Sequence, residues 1–179
     1  MKIHVLTGGP CSGKTTVLVE LLRRGWPVIS EVARAVLDEG RARGVAPPGF
    51  EEFQIEVLRR QIDAECLARE TGRDHFADRG TLDNVAYCRA YHHSVPDDLA
   101  AHAAAHRAGY STVFLLDRLP YVQDGGRVRG EDDELASRVH EELARVYAEH
   151  GYEVVRVPVV PVGERADLIE RWAAAPVER

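Results

Sequence analysis

One octapeptide constrains this chain more than anything else in it. Residues 8–15 read GGPCSGKT and fit G-x-x-x-x-G-K-[ST], a pattern that builds an anion cradle. Gly8 and Gly13 permit backbone angles that a side chain would forbid, so successive amides turn inward as a nest for phosphate oxygens. Lys14 adds a point charge for the outer phosphates, and the Thr15 hydroxyl is of the type that ligates Mg²⁺. Gly9, Pro10, Cys11, Ser12 and Thr16 complete the phosphate-binding set, with Cys11 read as a small filler. Context supports the motif. Residues 2–7 are rich in β-branched and apolar side chains, and residues 16–24 form a good helix ended by Gly25. Strand, glycine loop and helix is the order that such a cradle requires, with the helix's positive end aimed at the anion.

Composition narrows the class. A length of 179 residues, 45% of them hydrophobic, suits one domain with a real core, spanning 1–179. The net charge of −6 offers no basic field for nucleic acid or an anionic membrane. Cys11, Cys66 and Cys88 have neither metal-type spacing nor an even-numbered framework, which fits a reducing, cytoplasmic setting. There is no signal-peptide core and no apolar run of transmembrane length.

Along the chain, apolar strands alternate with amphipathic helices. Strands are expected at 2–7, 26–30, 75–77, 112–116 and 151–157. Helices are expected at 16–24, 32–39 (stopping at Gly40), 50–71, 81–91 (capped by Thr81), from the turn at 94–98 to His106, 134–150 and 162–174. In the long helix Phe53, Val57, Leu58, Ile62 and Leu67 recur at helical spacing. Residues 118–133 are polar and glycine-bearing. Five such strands imply a parallel sheet covered on both faces: a three-layer α/β/α architecture.

In such a sheet, ligands gather beyond the carboxyl ends of the strands. Residues 7–15, Glu31, Asp78 with Arg79, Asp117 with Arg118, and 158–161 all follow strands, so they should share one rim. There Asp78 is either a Mg²⁺ carboxylate complementing Thr15 or a helix-start carboxylate facing the dipole. Glu31 either accepts a proton from a substrate hydroxyl or pairs with Arg34 or Arg79. Arg79 either clamps an anion or serves a structural ion pair. Asp83 and Tyr87, one helical turn apart, could line a substrate pocket, pack in the core or lie on the helix surface. Arg127 and Arg129 sit in a glycine-rich stretch that either closes over a nucleotide or is an exposed loop with scattered charge. His92, His93, His102 and His106 lack the glutamate that accompanies a metalloprotease pair and read as surface or lid-side histidines.

These residues together resemble the P-loop kinase superfamily. The chain looks most similar to the predicted-ATPase AAA-type family that includes the ribosylnicotinamide kinase domain of bacterial NAD-biosynthesis regulators. The similarity rests on GGPCSGKTT (8–16), VISEVAR (28–34), FADRG (76–80) and PYVQDGGR (120–127). Two of these also resemble deoxynucleoside kinase elements: Glu31 matches the glutamate after the second strand, and Asp78-Arg79-Gly80 stands where those kinases have Glu-Arg-Ser. The resemblance implies a five-stranded P-loop NTPase with an arginine-bearing lid at about 118–133. It further implies Glu31 as general base, Arg79 as clamp, and Arg127 and Arg129 as lid arginines. No Asn-Lys-x-Asp guanine-reading motif is present.

The expectation is therefore an ATP- and Mg²⁺-dependent kinase, GTP not excluded, acting on a hydroxyl of a small, possibly nucleoside-like molecule. Lys14, Glu31, Asp78, Arg79 and Arg127 would be catalytic, and Thr15 and Asp78 would place the metal. Residues 8–16, Arg118 and Arg129 would hold the donor, and Glu31, Arg34, Arg79, Asp83 and Tyr87 the acceptor. The protein would be a monomer or homodimer. The alternative is a regulatory ATPase or GTPase acting through a protein partner. A nucleic-acid end kinase is disfavoured by the negative charge.

Overall fold

Alternating apolar strands and helices produce a five-stranded, all-parallel sheet in the order β2-β3-β1-β4-β5. The structure, a computed structural model, describes residues 1–105, 109–119 and 133–174. The strands are β1 (Ile3–Thr7), β2 (Val28–Ile29), β3 (His75–Asp78), β4 (Thr112–Leu116) and β5 (Val154–Val157). The helices are α1 (Lys14–Arg23), α2 (Val32–Ala42), α3 (Phe50–Glu70), α4 (Thr81–Ala90), α5 (Asp97–Ala105), α6 (Asp133–Glu149) and α7 (Val162–Ala174).

Side chains alternate across a strand, so β1 feeds two cores. Ile3 and Val5 join a cluster with Leu82, Val139, Leu143 and Tyr147 from α4 and α6. Leu6 joins one with Val17, Leu21, Phe76, Phe114 and Ile169, from α1, β3, β4 and α7. Every residue of β1 is buried, as a strand covered on both faces must be. The register sets Leu6 opposite Asp78 on one side and Phe114 on the other. The residues after β1, β3 and β4 therefore emerge side by side, where the strand order reverses and a ligand crevice is expected. Among the described residues, no helix is long and apolar enough to cross a membrane.

Several boundaries differ from the sequence expectation. The second strand shrinks from 26–30 to Val28–Ile29: Trp26 turns aside, packs edge-on against Phe76 and donates its indole N–H to Glu170 at 2.7 Å. α2 runs through Gly40 to Ala42, because the left-handed terminator is Gly44, at φ 67°. Thr81 is the first helical residue of α4 and not its cap. Gly80 is the cap, and Asp83 reaches back to its N–H at 3.2 Å. Leu67 is 64% exposed. The buried stripe of α3 instead includes Gln54, Gln61 and Glu65 beside Val57, Leu58 and Ala68, and these amides and carboxylate turn toward the interior.

Candidate functional site

The phosphate loop closes on itself. Gly8 has φ 146° and Gly13 φ 78°, which β-carbon-bearing residues rarely adopt. Gly9 is needed for a different reason: a β-carbon there would lie 2.8 Å from the Ala136 carbonyl and 3.0 Å from His140 Cβ, so α6 packs directly against the loop. The Gly9 N–H donates to His140 Nδ1 at 3.3 Å. Burial lowers the pKa of His140, as does nearby Arg156, which keeps that nitrogen an acceptor.

Lys14 is buried at the start of α1. Its Nζ donates to the Gly8 carbonyl at 2.6 Å, the Gly9 carbonyl at 3.3 Å and Ser12 Oγ at 3.2 Å. Burial pushes its pKa down to about 7, and Arg79 adds to this, while Asp78, Asp83 and Glu31 pull the other way. A phosphate in the nest would restore the full charge. Thr15 and Thr16 are exposed on the first turn.

Asp78 ends β3 and is 6% exposed, with Oδ1 buried and unpartnered among the described residues. Burial raises its pKa to about 6 against the pull of Lys14 and Arg79. An orphaned buried carboxylate oxygen facing the phosphate-loop lysine is what a divalent cation would satisfy. A Mg²⁺ ion fits this donor set, because it takes one or two protein oxygens and completes its shell with phosphates and water. Among the described residues, no group of three or more His, Cys, Asp and Glu is arranged as a protein-only metal cage.

Like Cys11 of the phosphate loop, at φ 60°, Arg79 has a strained backbone, at φ 74°. A left-handed residue costs roughly 1–2 kcal/mol, which its contacts offset. Its Nε donates to Glu31 Oε1 at 3.1 Å and its Nη1 to Asp83 Oδ2 at 3.3 Å. The guanidinium lies 5.0 Å from the centroid of the Tyr87 ring. Burial alone would raise the Glu31 pKa, but the charge and hydrogen bond of Arg79 win, and Glu31 sits below the ordinary carboxylate range. It is therefore ionised at neutral pH.

Asp83 is only 1% exposed. Beside Arg79 and Gly80 it accepts from Thr7 Oγ1 at 2.8 Å and from the Tyr147 hydroxyl at 2.7 Å. It ties β1, the Asp78–Gly80 turn and α6 together, although it also contributes to the cavity wall. That cavity, about 900 Å³, opens beside the loop at Pro10 and runs between α2, α3 and α4. Glu31, Asp78 and Arg79 line its inner end, Arg34 and Leu37 its α2 wall, and Phe53, Gln54 and Tyr87 its far side.

The rim thus brings Lys14, Glu31, Asp78, Arg79, Asp83 and Tyr87 together, with Arg34 at the cavity edge. Arg118 is engaged by Ser137 and Asp133 of α6. Arg127 and Arg129, with most of the 118–133 lid and His106, lie outside the described residues. Sequence reading missed Gln54, Gln61, His140 and Arg165. Arg165 could have been found: it stands one residue before Ala166 on the stripe that continues through Ile169 and Ala173, where a charge is out of place.

A family model described as "AAA domain" matches residues 3–165. The chain belongs to this AAA domain family. Solved structures with the same fold include a NadR protein in complex with NR, with TM-score 0.71, 21% identity and 99% of this chain covered. A thymidylate kinase from Ehrlichia chaffeensis has TM-score 0.69 at 11% identity, covering 97% of this chain and 98% of its own. A deoxyadenosine kinase from M. mycoides has TM-score 0.65 at 15% identity, covering 98% of this chain and 100% of its own. This AAA domain spans about half of the NadR chain, 53%. A comparison with curated proteins gives no match. The fold is that of the P-loop kinases.

Proposed function

We propose that the protein is an ATP- and Mg²⁺-dependent phosphotransferase acting on a hydroxyl of a small, nucleoside-like molecule, working as a single unit over 1–179. One observation carries the reading: an ionised carboxylate, Glu31, held by Arg79 at 3.1 Å, lines a cavity of about 900 Å³ that opens at the phosphate loop. A hydrolase that needs only water has no use for a chamber of that size. The solved neighbours, a NadR protein in complex with NR and a deoxyadenosine kinase, support a nucleoside-like acceptor.

In this reading the loop amides and Lys14 hold the donor's outer phosphates. Glu31 accepts the acceptor hydroxyl's proton as its oxygen bonds to the terminal phosphorus, and the bond to the leaving diphosphate breaks. Arg79, between Glu31 and Asp83, is placed to stabilise the charge on the transferred group. Thr15 and Asp78 would hold the Mg²⁺. When bound, that ion neutralises phosphate charge and orients the chain of phosphates. Arg127 and Arg129 are proposed to close over the donor.

The test is a transfer screen with γ-labelled ATP and Mg²⁺ against nucleosides, ribosylnicotinamide, sugars and aminoglycoside-like alcohols. Label should move to one acceptor class. ATP turnover indifferent to every hydroxyl compound would replace the kinase reading with that of a regulatory ATPase.

A further inference from the structure

We propose that Arg165 is a positioning residue for the donor phosphates, a fork that locks the phosphate loop open toward its anion; this rests on the nucleotide-binding half of the function proposed above. Arg165 lies on α7 and is 2% exposed. Its Nη1 donates to the Ser12 carbonyl at 2.6 Å, its Nε to the Pro158 carbonyl at 2.8 Å and its Nη2 to the Asp117 carbonyl at 3.2 Å. Three segments meet on one guanidinium: the phosphate loop, the loop after β5 and the end of β4.

A peptide unit is planar and trans, so its C=O and N–H point opposite ways. Drawing the Ser12 carbonyl outward to Arg165 turns the Gly13 N–H inward. The Leu119 N–H, donating to the Cys11 carbonyl at 3.0 Å, does the same for the Ser12 N–H. Two amides of the nest are thus aimed from behind. A β-carbon at Gly13 would come within 3.4 Å of Arg165 Nη1, so fork and loop are already in contact.

The electrostatics point the same way. All three acceptors of Arg165 are neutral carbonyls. The nearby Asp117 carboxylate is taken by Arg156 at 2.7 Å. Asp117 therefore acts on Arg165 only through its charge, short of offsetting the burial of the guanidinium, and a buried guanidinium hydrogen-bonded to neutral groups alone is unfavourable by itself. A polyphosphate in the nest in front of Ser12 and Gly13 supplies further negative charge. Arg165 therefore strengthens phosphate binding without touching phosphate.

The experiment measures Mg²⁺·AMP-PNP and tripolyphosphate binding by titration calorimetry on the full chain. Arg165→Met should weaken both on the order of 10–100-fold, the range for hydrogen bonds from a charged donor. Arg165→Lys, which keeps the charge and loses the fork, should fall between Met and wild type. Ile169→Val, which loosens α7 without touching the fork, should bind as wild type does. Should the Met variant not fold, the Lys variant carries the test. Wild-type affinity in Arg165→Met or Arg165→Lys overturns the proposal. So does a loss confined to AMP-PNP, or an equal loss in Ile169→Val. A wild-type chain that binds neither ligand overturns the nucleotide reading itself, a result read before any variant is made.

Discussion

The two sides of the crevice are built from different materials. The donor side is backbone: loop amides, the start of α1, and carbonyls held by Lys14 and Arg165. Its surroundings are fully packed, with Leu6, Leu21, Phe114 and Ile169 essentially unexposed. The acceptor side is side chain: α3 and α4 present amides, carboxylates and rings to the cavity, and α2 buries none of its residues. Backbone geometry suits a ligand common to many enzymes, since any phosphate meets the same amides. A side-chain wall over a loosely seated helix can change occupant without disturbing the core.

That contrast is open to attack at several points. Glu31→Gln should leave ATP binding intact and lower the transfer rate on the order of 10²–10⁴-fold, as loss of a positioned base does. If calorimetry shows ATP binding lost instead, Glu31 belongs to the donor side. Lys14→Ala should lower kcat on the order of 10²–10³-fold, by analogy with loss of one preorganised donor. Near-normal turnover would remove Lys14 from the chemistry.

A paired truncation tests the packing difference directly. Leu21→Ala, in the fully buried donor half, should cost roughly 2–5 kcal/mol in denaturant unfolding. Leu37→Ala, on the α2 wall, should cost less than about 1 kcal/mol and act chiefly on the acceptor KM. Equal losses would mean that α2 is as firmly built in as α1.

The last effect concerns pH. His4 is 1% exposed beneath the donor side, its ring 5.4 Å from Phe76 and 6.3 Å from Phe114, with both nitrogens unpartnered among the described residues. Burial lowers its pKa from 6.5 to about 4, opposed by Asp74 and aided by Lys2. The unfolded chain therefore binds a proton between those values that the folded chain refuses. Stability from this residue is complete above pH 6.5 and declines as pH falls toward 4, by roughly 3 kcal/mol. His4→Phe should flatten that part of the stability profile relative to wild type. Parallel profiles would place the ring in contact with water.

Much of this was legible in the chain. GGPCSGKT announced its nest because the chemistry is local: each glycine and the lysine act within one turn. The rim followed from counting strands, since residues after parallel strands must gather at one end. Elsewhere local signals failed. Thr81 has a capping side chain, but Gly80 holds the cap, and Asp83, which bonds its N–H, also satisfies Thr7 and Tyr147, partners 76 and 64 residues away. Leu67 fits helical spacing, yet α3 turns Gln54, Gln61 and Glu65 inward because a cavity and Tyr110 await them there.

The amino-acid sequence by itself determined the nest, the alternation of strands and helices, and hence a parallel sheet with its ligand edge, because each depends on neighbours within a few residues. Only the tertiary structure decided that Glu31 meets Arg79, that Asp83 serves the scaffold as well as the cavity, and that Arg165 grips the phosphate loop from 153 residues away. Those outcomes depend on which distant groups burial brings within hydrogen-bond reach, and no local pattern encodes that distance.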